Sequence, residues 1–159
     1  MNCYMLQAYK AATNSPDMSS QNGAVIVSSI QVIGEGCNKP VPGILPIQER
    51  PAKYKVFEHA ERYAILTAWG KLSGSVMYCP WAACCDCARA IILSGIMSVV
   101  VHNERMLLTP DHWKDDVELA LRMLDRNNVT ILYHHGPVPG APSILVNGSM
   151  WSPEICEFL

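Results

Sequence analysis

Basic excess is missing from this sequence: twelve Lys and Arg stand against fourteen Asp and Glu, a formal net charge of -2. With no basic run to follow a phosphate backbone, polymeric nucleic acid is disfavoured as a partner. Charge is scarce altogether, at 16%, while 50% of the residues are hydrophobic, which excludes a disordered chain and predicts a compact globule. Long apolar runs are also lacking, since none approaches the roughly 20 residues needed to span a bilayer. The opening Met1-Asn2-Cys3-Tyr4-Met5 has no basic segment ahead of an apolar core, so no secretory leader is expected. Seven cysteines, an odd count without an export signal, favour reduced thiols and a metal site over a disulfide framework, and a cytoplasmic location. No repeat, low-complexity tract or linker divides the chain, so one domain over 1–159 is expected.

What is present alternates. Helical spacing of Tyr4, Met5 and Ala8 predicts a helix over 3–13, and Asn14-Ser15-Pro16-Asp17 breaks it. Two β-branched runs, Ala24–Val27 and Ile30–Gly34, flank Ser28-Ser29 as a hairpin. A long Pro- and Gly-rich loop follows, of the kind that is functional or disordered. From His59 onward the pattern gives a helix at 60–69, a strand at 75–79, a helix at 85–94 and a strand at 97–101. A helix near 112–127 and a strand at 129–133 complete the series. Such alternation implies an α/β fold, a mixed sheet of about five strands with helices on both faces. The helix at 60–69 is apolar nearly all round, which predicts its burial together with Trp69. Residues 136–159 read as an irregular tail.

Two clusters carry chemistry, each at a helix entrance. Cys84 and Cys87 in Cys84-Cys85-Asp86-Cys87 have the i, i+3 spacing that puts two thiolates on one helix face. A helix N-terminus also favours the thiolate form. In His59-Ala60-Glu61 the two functional side chains would diverge by about 200° on a regular helix of 3.6 residues per turn. They converge only if His59 sits at the cap. His59, Cys84 and Cys87 leave zinc one open position, the coordination of a catalytic site.

His59-Ala60-Glu61 followed by Cys84-x-x-Cys87-Ala88-Arg89-Ala90-Ile91 resembles the zinc-dependent cytidine and deoxycytidylate deaminase family, whose motif is a known signature of zinc deaminases. Ser15-Pro16-Asp17, Gly23-Ala24-Val25-Ile26-Val27 and Gly34-Glu35-Gly36-Cys37-Asn38 extend the likeness toward the dCMP deaminase branch, over roughly residues 5–133. Two positions depart from it: Ala83 stands where the family has Pro, and Tyr63 where the branch has Asn. Both leave the metal cluster intact and bear on the substrate. The resemblance implies a three-layer cytidine-deaminase-like fold, zinc on His59, Cys84 and Cys87, and Glu61 as the proton shuttle for hydrolysis at C4 of a free cytosine nucleotide, dCMP foremost. It implies that Ala60 and Ala82 hold the pyrimidine edge and Asn38 the sugar. It further implies a homo-oligomer with dCTP and dTTP as possible effectors. Charge and position add Lys39 as a neutraliser of the phosphate, in a basic loop continued by Arg50, Lys53 and Lys55.

Plainer assignments compete at several residues. Cys85 and Cys79 could complete a closed structural site, though Cys85 is expected to be a small buried residue. Cys3, Cys37 and Cys156 read as packing or surface thiols, and His102, His112, His134 and His135 as satisfied or solvated histidines. Trp81 could wall a pocket or merely pack, and Asp115-Asp116 reads as a solvated helix start. As functions, a tRNA adenosine deaminase, a nucleoside-level cytidine deaminase and an inactive zinc-stabilised binding subunit compete. Acidic net charge and the long 38–58 loop oppose the first, the His ligand the second, and the intact Glu61 the third.

Overall fold

The computed structural model describes residues 2–159. At its centre is a five-stranded sheet built from β1 (Gly23–Ser28), β2 (Gln31–Cys37), β5 (Val76–Tyr78), β6 (Ser98–His102) and β7 (Thr130–His134), in the order β2-β1-β5-β6-β7. β1 is antiparallel to β2 and β5, whereas β5, β6 and β7 run parallel. The sheet is therefore mixed, as the sequence pattern implies. Between β2 and β5 lie β3 (Lys39–Pro40), α2 (Lys53–Val56), β4 (Phe57–Glu58) and α3 (Ala60–Leu66). The remaining helices are α1 (Asn2–Ala12), α4 (Cys85–Ser94), α5 (Asn103–Met106) and α6 (Asp111–Arg126).

Side chains alternate across a strand, and here the alternation sorts two cores. Val99 and Val101 of β6, with Ala24, Ile26 and Met77, face Ala60, Ala64, Cys87, Ile91, Ala120 and Leu124 of α3, α4 and α6. Val100, between them in sequence, faces the opposite way, toward Met5 and Tyr9 of α1. Gly34 and Gly36 of β2 let α3 lie directly on the sheet. A Cβ at Gly36 would sit 2.7 Å from the Ala64 nitrogen and 2.8 Å from the Ala60 oxygen, a separation that real side chains do not tolerate. This close approach fixes where the His59 end of α3 comes to rest.

Two expectations need correction. The helix expected over 60–69 stops at Leu66, because the Trp69 N–H is captured by the Ile33 carbonyl of β2 at 3.0 Å. Trp69 consequently turns outward and is 68% exposed, rather than part of the core. The tail is not irregular either: β8 (Ile144–Val146), β9 (Ser149–Ser152) and β10 (Glu157–Phe158) form an antiparallel sheet in the order β10-β9-β8. Its Ile144, Val146 and Trp151 are buried with Met5 and Tyr9, which explains why the segment is ordered. No helix among the described residues is long and apolar enough to cross a membrane.

Candidate active site

His59 is the residue before α3, with extended backbone (φ -75°, ψ 154°), and Cys84 holds the same position before α4 (φ -75°, ψ 172°). Being outside the helix lets His59 and Glu61 converge despite their spacing. The His59 Nδ1 lies 3.4 Å from Cys84 Sγ and 3.5 Å from Cys87 Sγ. All three donor atoms fall within 4.8 Å of one another. One imidazole nitrogen and two thiolates, spaced as the corners of a tetrahedral face, fit a zinc ion with one position left open. Cys85 and Cys79 stay out of this group: the Cys85 thiol donates to the Asp116 carbonyl at 3.4 Å, and Cys79 Sγ accepts from Asn22 Nδ2 at 3.2 Å.

Within the trio the electrostatics favour a thiolate at Cys84. The Cys84 thiol is pulled down to about 4, first by its hydrogen bond with Cys87 and then by His59, against the opposing effect of burial. Cys87 is raised, first by the same bond with Cys84 and then by burial. Burial pulls His59 down, yet its bond with Cys84 and the charge of Glu61 raise it overall. Arg62 Nη1 reaches Cys87 Sγ at 3.7 Å and is itself tied to Glu58. Glu61 is 3% exposed, and burial pushes its carboxyl up to about 7, with His59 opposing. A carboxyl poised near neutrality is suited to taking up and returning a proton.

The N-terminus of α4 has no cap from its own chain segment. The Asp116 carboxylate of α6 supplies one instead, accepting from the Cys85 N–H at 3.0 Å. Asp116 is therefore no mere solvated helix start. It holds the turn that carries both cysteines.

Above the trio opens a cleft of about 440 Å³ lined by residues from six parts of the chain. Trp113 of α6 stands edge-on to His59, Trp81 and Tyr54, with ring centroids 6.2, 6.3 and 6.0 Å away. Trp81 walls the cleft while donating its indole N–H to Thr109 at 2.9 Å, and the buried Arg105 guanidinium stacks 4.6 Å from its ring. Asn38, Ala60, Ala82, His59, Glu61 and Cys84 all line the space. The Ala82 N–H points at Met106 Sδ, 3.0 Å away. The Asn38 amide is committed to Asp17, Ser20 and Asn22, so its first task is to hold the 17–22 loop. Asn22 lines the cleft too, and its buried Oδ1 has no hydrogen-bond partner among the described residues.

Lys39 is placed elsewhere. Its ammonium lies 4.1 Å from the centroid of the Tyr63 ring, because β3 pairs with β4 and carries it away from the cleft. Of the basic loop, Arg50 and Lys53 line the cleft. Lys53 is neutralised by a buried ion pair with Asp17 at 2.6 Å. The cation Arg50 and the exposed imidazole of His112 remain at the rim.

Residues 2–103 match the cytidine and deoxycytidylate deaminase zinc-binding region. The uncharacterised deaminase of the luxG 3′ region of Aliivibrio fischeri is 30% identical over 125 residues, covering 75% of this chain and 82% of its own. The deoxycytidylate deaminase of Homo sapiens is 30% identical over 138 residues, covering 80% of this chain and 75% of its own. Among solved structures, the dCMP deaminase of cyanophage S-TIM5 in apo form superposes with a TM-score of 0.67 at 20% identity. That match covers 83% of this chain and 94% of the phage chain, and it speaks to the fold alone. The family match, spanning most of the chain and both halves of the His59–Cys84–Cys87 cluster, makes this protein a member of the cytidine and deoxycytidylate deaminase family of zinc enzymes.

Proposed function

We propose that this protein hydrolyses the exocyclic amine of a free cytosine nucleotide, converting dCMP to dUMP and ammonia. The observation that carries this is the buried Glu61 carboxyl beside the His59–Cys84–Cys87 trio, at the bottom of a cleft whose rim carries Arg50 and His112. His59, Cys84 and Cys87 would hold zinc, which supplies a Lewis acid able to activate water near neutral pH. Glu61 takes a proton from the attacking water, delivers it to ring N3, and then assists departure of ammonia from C4. Trp81 and Trp113 confine the ring, and Asn22 Oδ1 offers an unused acceptor for a substrate donor. The relatives named deoxycytidylate deaminase, at 30% identity, support the monophosphate.

With Lys39 engaged on Tyr63, the phosphate falls to Arg50 and His112. Charge-assisted hydrogen bonds contribute about 1.5–3 kcal/mol each. Losing two such contacts corresponds to roughly 10²–10⁴-fold at about 1.4 kcal/mol per decade. The kcat/KM for dCMP should therefore exceed that for deoxycytidine by a factor in that range, and Arg50→Ala should narrow the gap while Lys39→Ala leaves it. Parallel ammonia-release assays on dCMP, CMP, deoxycytidine and cytidine check this. Equal kcat/KM for dCMP and deoxycytidine would remove the monophosphate from the proposal and leave a nucleoside deaminase.

A further inference from the structure

A second group of metal-type donors lies on the α1 side of the sheet. His102 ends β6, Glu104 stands in the first turn of α5, and Cys156 sits in the turn between β9 and β10 with φ 59°. Their donor atoms fall within 4.8 Å of one another, the same span that encloses His59, Cys84 and Cys87. His102 Nε2 is 3.1 Å from Glu104 Oε2 and 3.9 Å from Cys156 Sγ. With zinc–nitrogen bonds of about 2.0–2.1 Å and zinc–sulfur bonds of about 2.3 Å, tetrahedral ligand atoms stand roughly 3.2–3.8 Å apart. The measured separations bracket that range.

The carboxylate gives an independent reason to look for a cation. Glu104 Oε1 accepts from the Gly136 N–H at 2.9 Å, but Oε2 is buried and makes no hydrogen bond, because its neighbour His102 Nε2, 3.1 Å away, is directed to the Gly136 carbonyl at 2.9 Å. A buried anionic oxygen without a partner is costly to leave bare.

We propose that His102, Glu104 and Cys156 form a second metal site, suited by its nitrogen, oxygen and sulfur donors to zinc, which pins the C-terminal sheet to the end of β6. The Gly136 carbonyl oxygen, 2.9 Å from His102 Nε2, is within reach as a fourth donor. Binding releases the Cys156 thiol proton to solvent and leaves the imidazole proton on Nδ1, where Tyr9 Oη lies 2.6 Å away to accept it. One thiolate, one carboxylate and a divalent cation sum to zero charge, which suits a buried position. His102 and Glu104 come from the junction of β6 and α5 and Cys156 from the C-terminal tail, so the ion acts as a staple between the sheet and the tail.

The test is metal counting by inductively coupled plasma mass spectrometry on zinc-saturated, extensively dialysed protein. Wild type should hold two zinc ions per chain, and Cys156→Ser and Glu104→Gln one each. A Cys84→Ser/Cys87→Ser double variant should also keep one. When that variant is loaded with cobalt, it should show the near-ultraviolet thiolate-to-metal band of a single cysteine ligand. Adding Cys156→Ser should abolish the band. One zinc per wild-type chain, or a second ion that persists in both Cys156→Ser and Glu104→Gln, overturns the site. Wild-type stoichiometry decides even if the double variant does not fold.

Discussion

In the proposed reaction Glu61 moves the proton while His59, Cys84 and Cys87 hold zinc, and each role can be tested alone. Because Glu61 takes no part in the zinc trio, Glu61→Gln should keep the metal at that site and lose about 10²–10⁴-fold or more in turnover. Zinc analysis beside a dCMP assay checks both halves, and full activity would remove Glu61 from the mechanism. Four cysteines crowd within nine positions, but only Cys84 and Cys87 turn toward His59. Cys85→Ser should therefore retain the zinc that Cys84→Ser and Cys87→Ser lose. These residues were readable because their spacing is local: one i, i+3 pair and one His-x-Glu at a helix start contain the geometry. Asn22, Trp113 and Asn147 line the same cleft from distant positions, and no short motif links them. Lys39 shows the limit of proximity in sequence, since it is adjacent to Asn38, which lines the cleft, yet its ammonium rests on Tyr63.

The elements are positioned less by their own propensities than by neighbours. α4 begins at Cys84 without a side-chain cap of its own, and the Asp116 carboxylate of α6 fills that role across the interface. N-cap residues contribute about 0.5–2 kcal/mol, and a carboxylate at a helix N-terminus adds a favourable interaction with the helix dipole. Asp116→Ala should cost stability in that range by urea unfolding and weaken zinc retention against a chelator. Asp116→Asn, which keeps an acceptor, should lose less. An unchanged midpoint in Asp116→Ala would show that the cap carries no energy. The same logic explains α3, which ended three residues early. Its apolar composition predicted burial all round, but Gly34 and Gly36 draw only the Ala60–Ala64 face onto β2. The Ile33 carbonyl then takes the Trp69 N–H out of the helix.

Over the whole molecule, the C-terminal sheet and α1 close one face of the central sheet, and the cleft depends on that closure. The hairpin was signalled in the sequence by Asn147-Gly148 between Ile144-Leu145-Val146 and Ser149-Met150-Trp151, a two-residue turn requiring positive φ at both positions. The structure has φ 54° and 85° there. The signal is weak because the strands are only three and four residues long and follow a Pro- and Gly-rich stretch. Trp151 is 1% exposed and packs against Tyr9 and His102, so removing its side chain leaves a cavity that α1 cannot fill. Trp→Ala changes in a core cost about 3–5 kcal/mol, a large share of the roughly 5–15 kcal/mol that holds a domain folded. Trp151→Ala should lower unfolding stability by that amount. The hairpin also grips the loop that borders the cleft. The Gln21 N–H donates to the Leu145 carbonyl at 2.8 Å, the Gly148 N–H to Ser19 at 2.7 Å, and the Asn147 N–H to Ser20 Oγ at 3.0 Å. Loosening the hairpin should therefore disturb substrate binding before it disturbs Glu61, which sits on α3 across the sheet. In the folded fraction, Trp151→Ala should raise KM for dCMP several-fold with kcat little changed. Urea unfolding and steady-state kinetics on the same preparation separate the two effects. Wild-type stability and KM together would mean that the tail neither supports the core nor shapes the cleft.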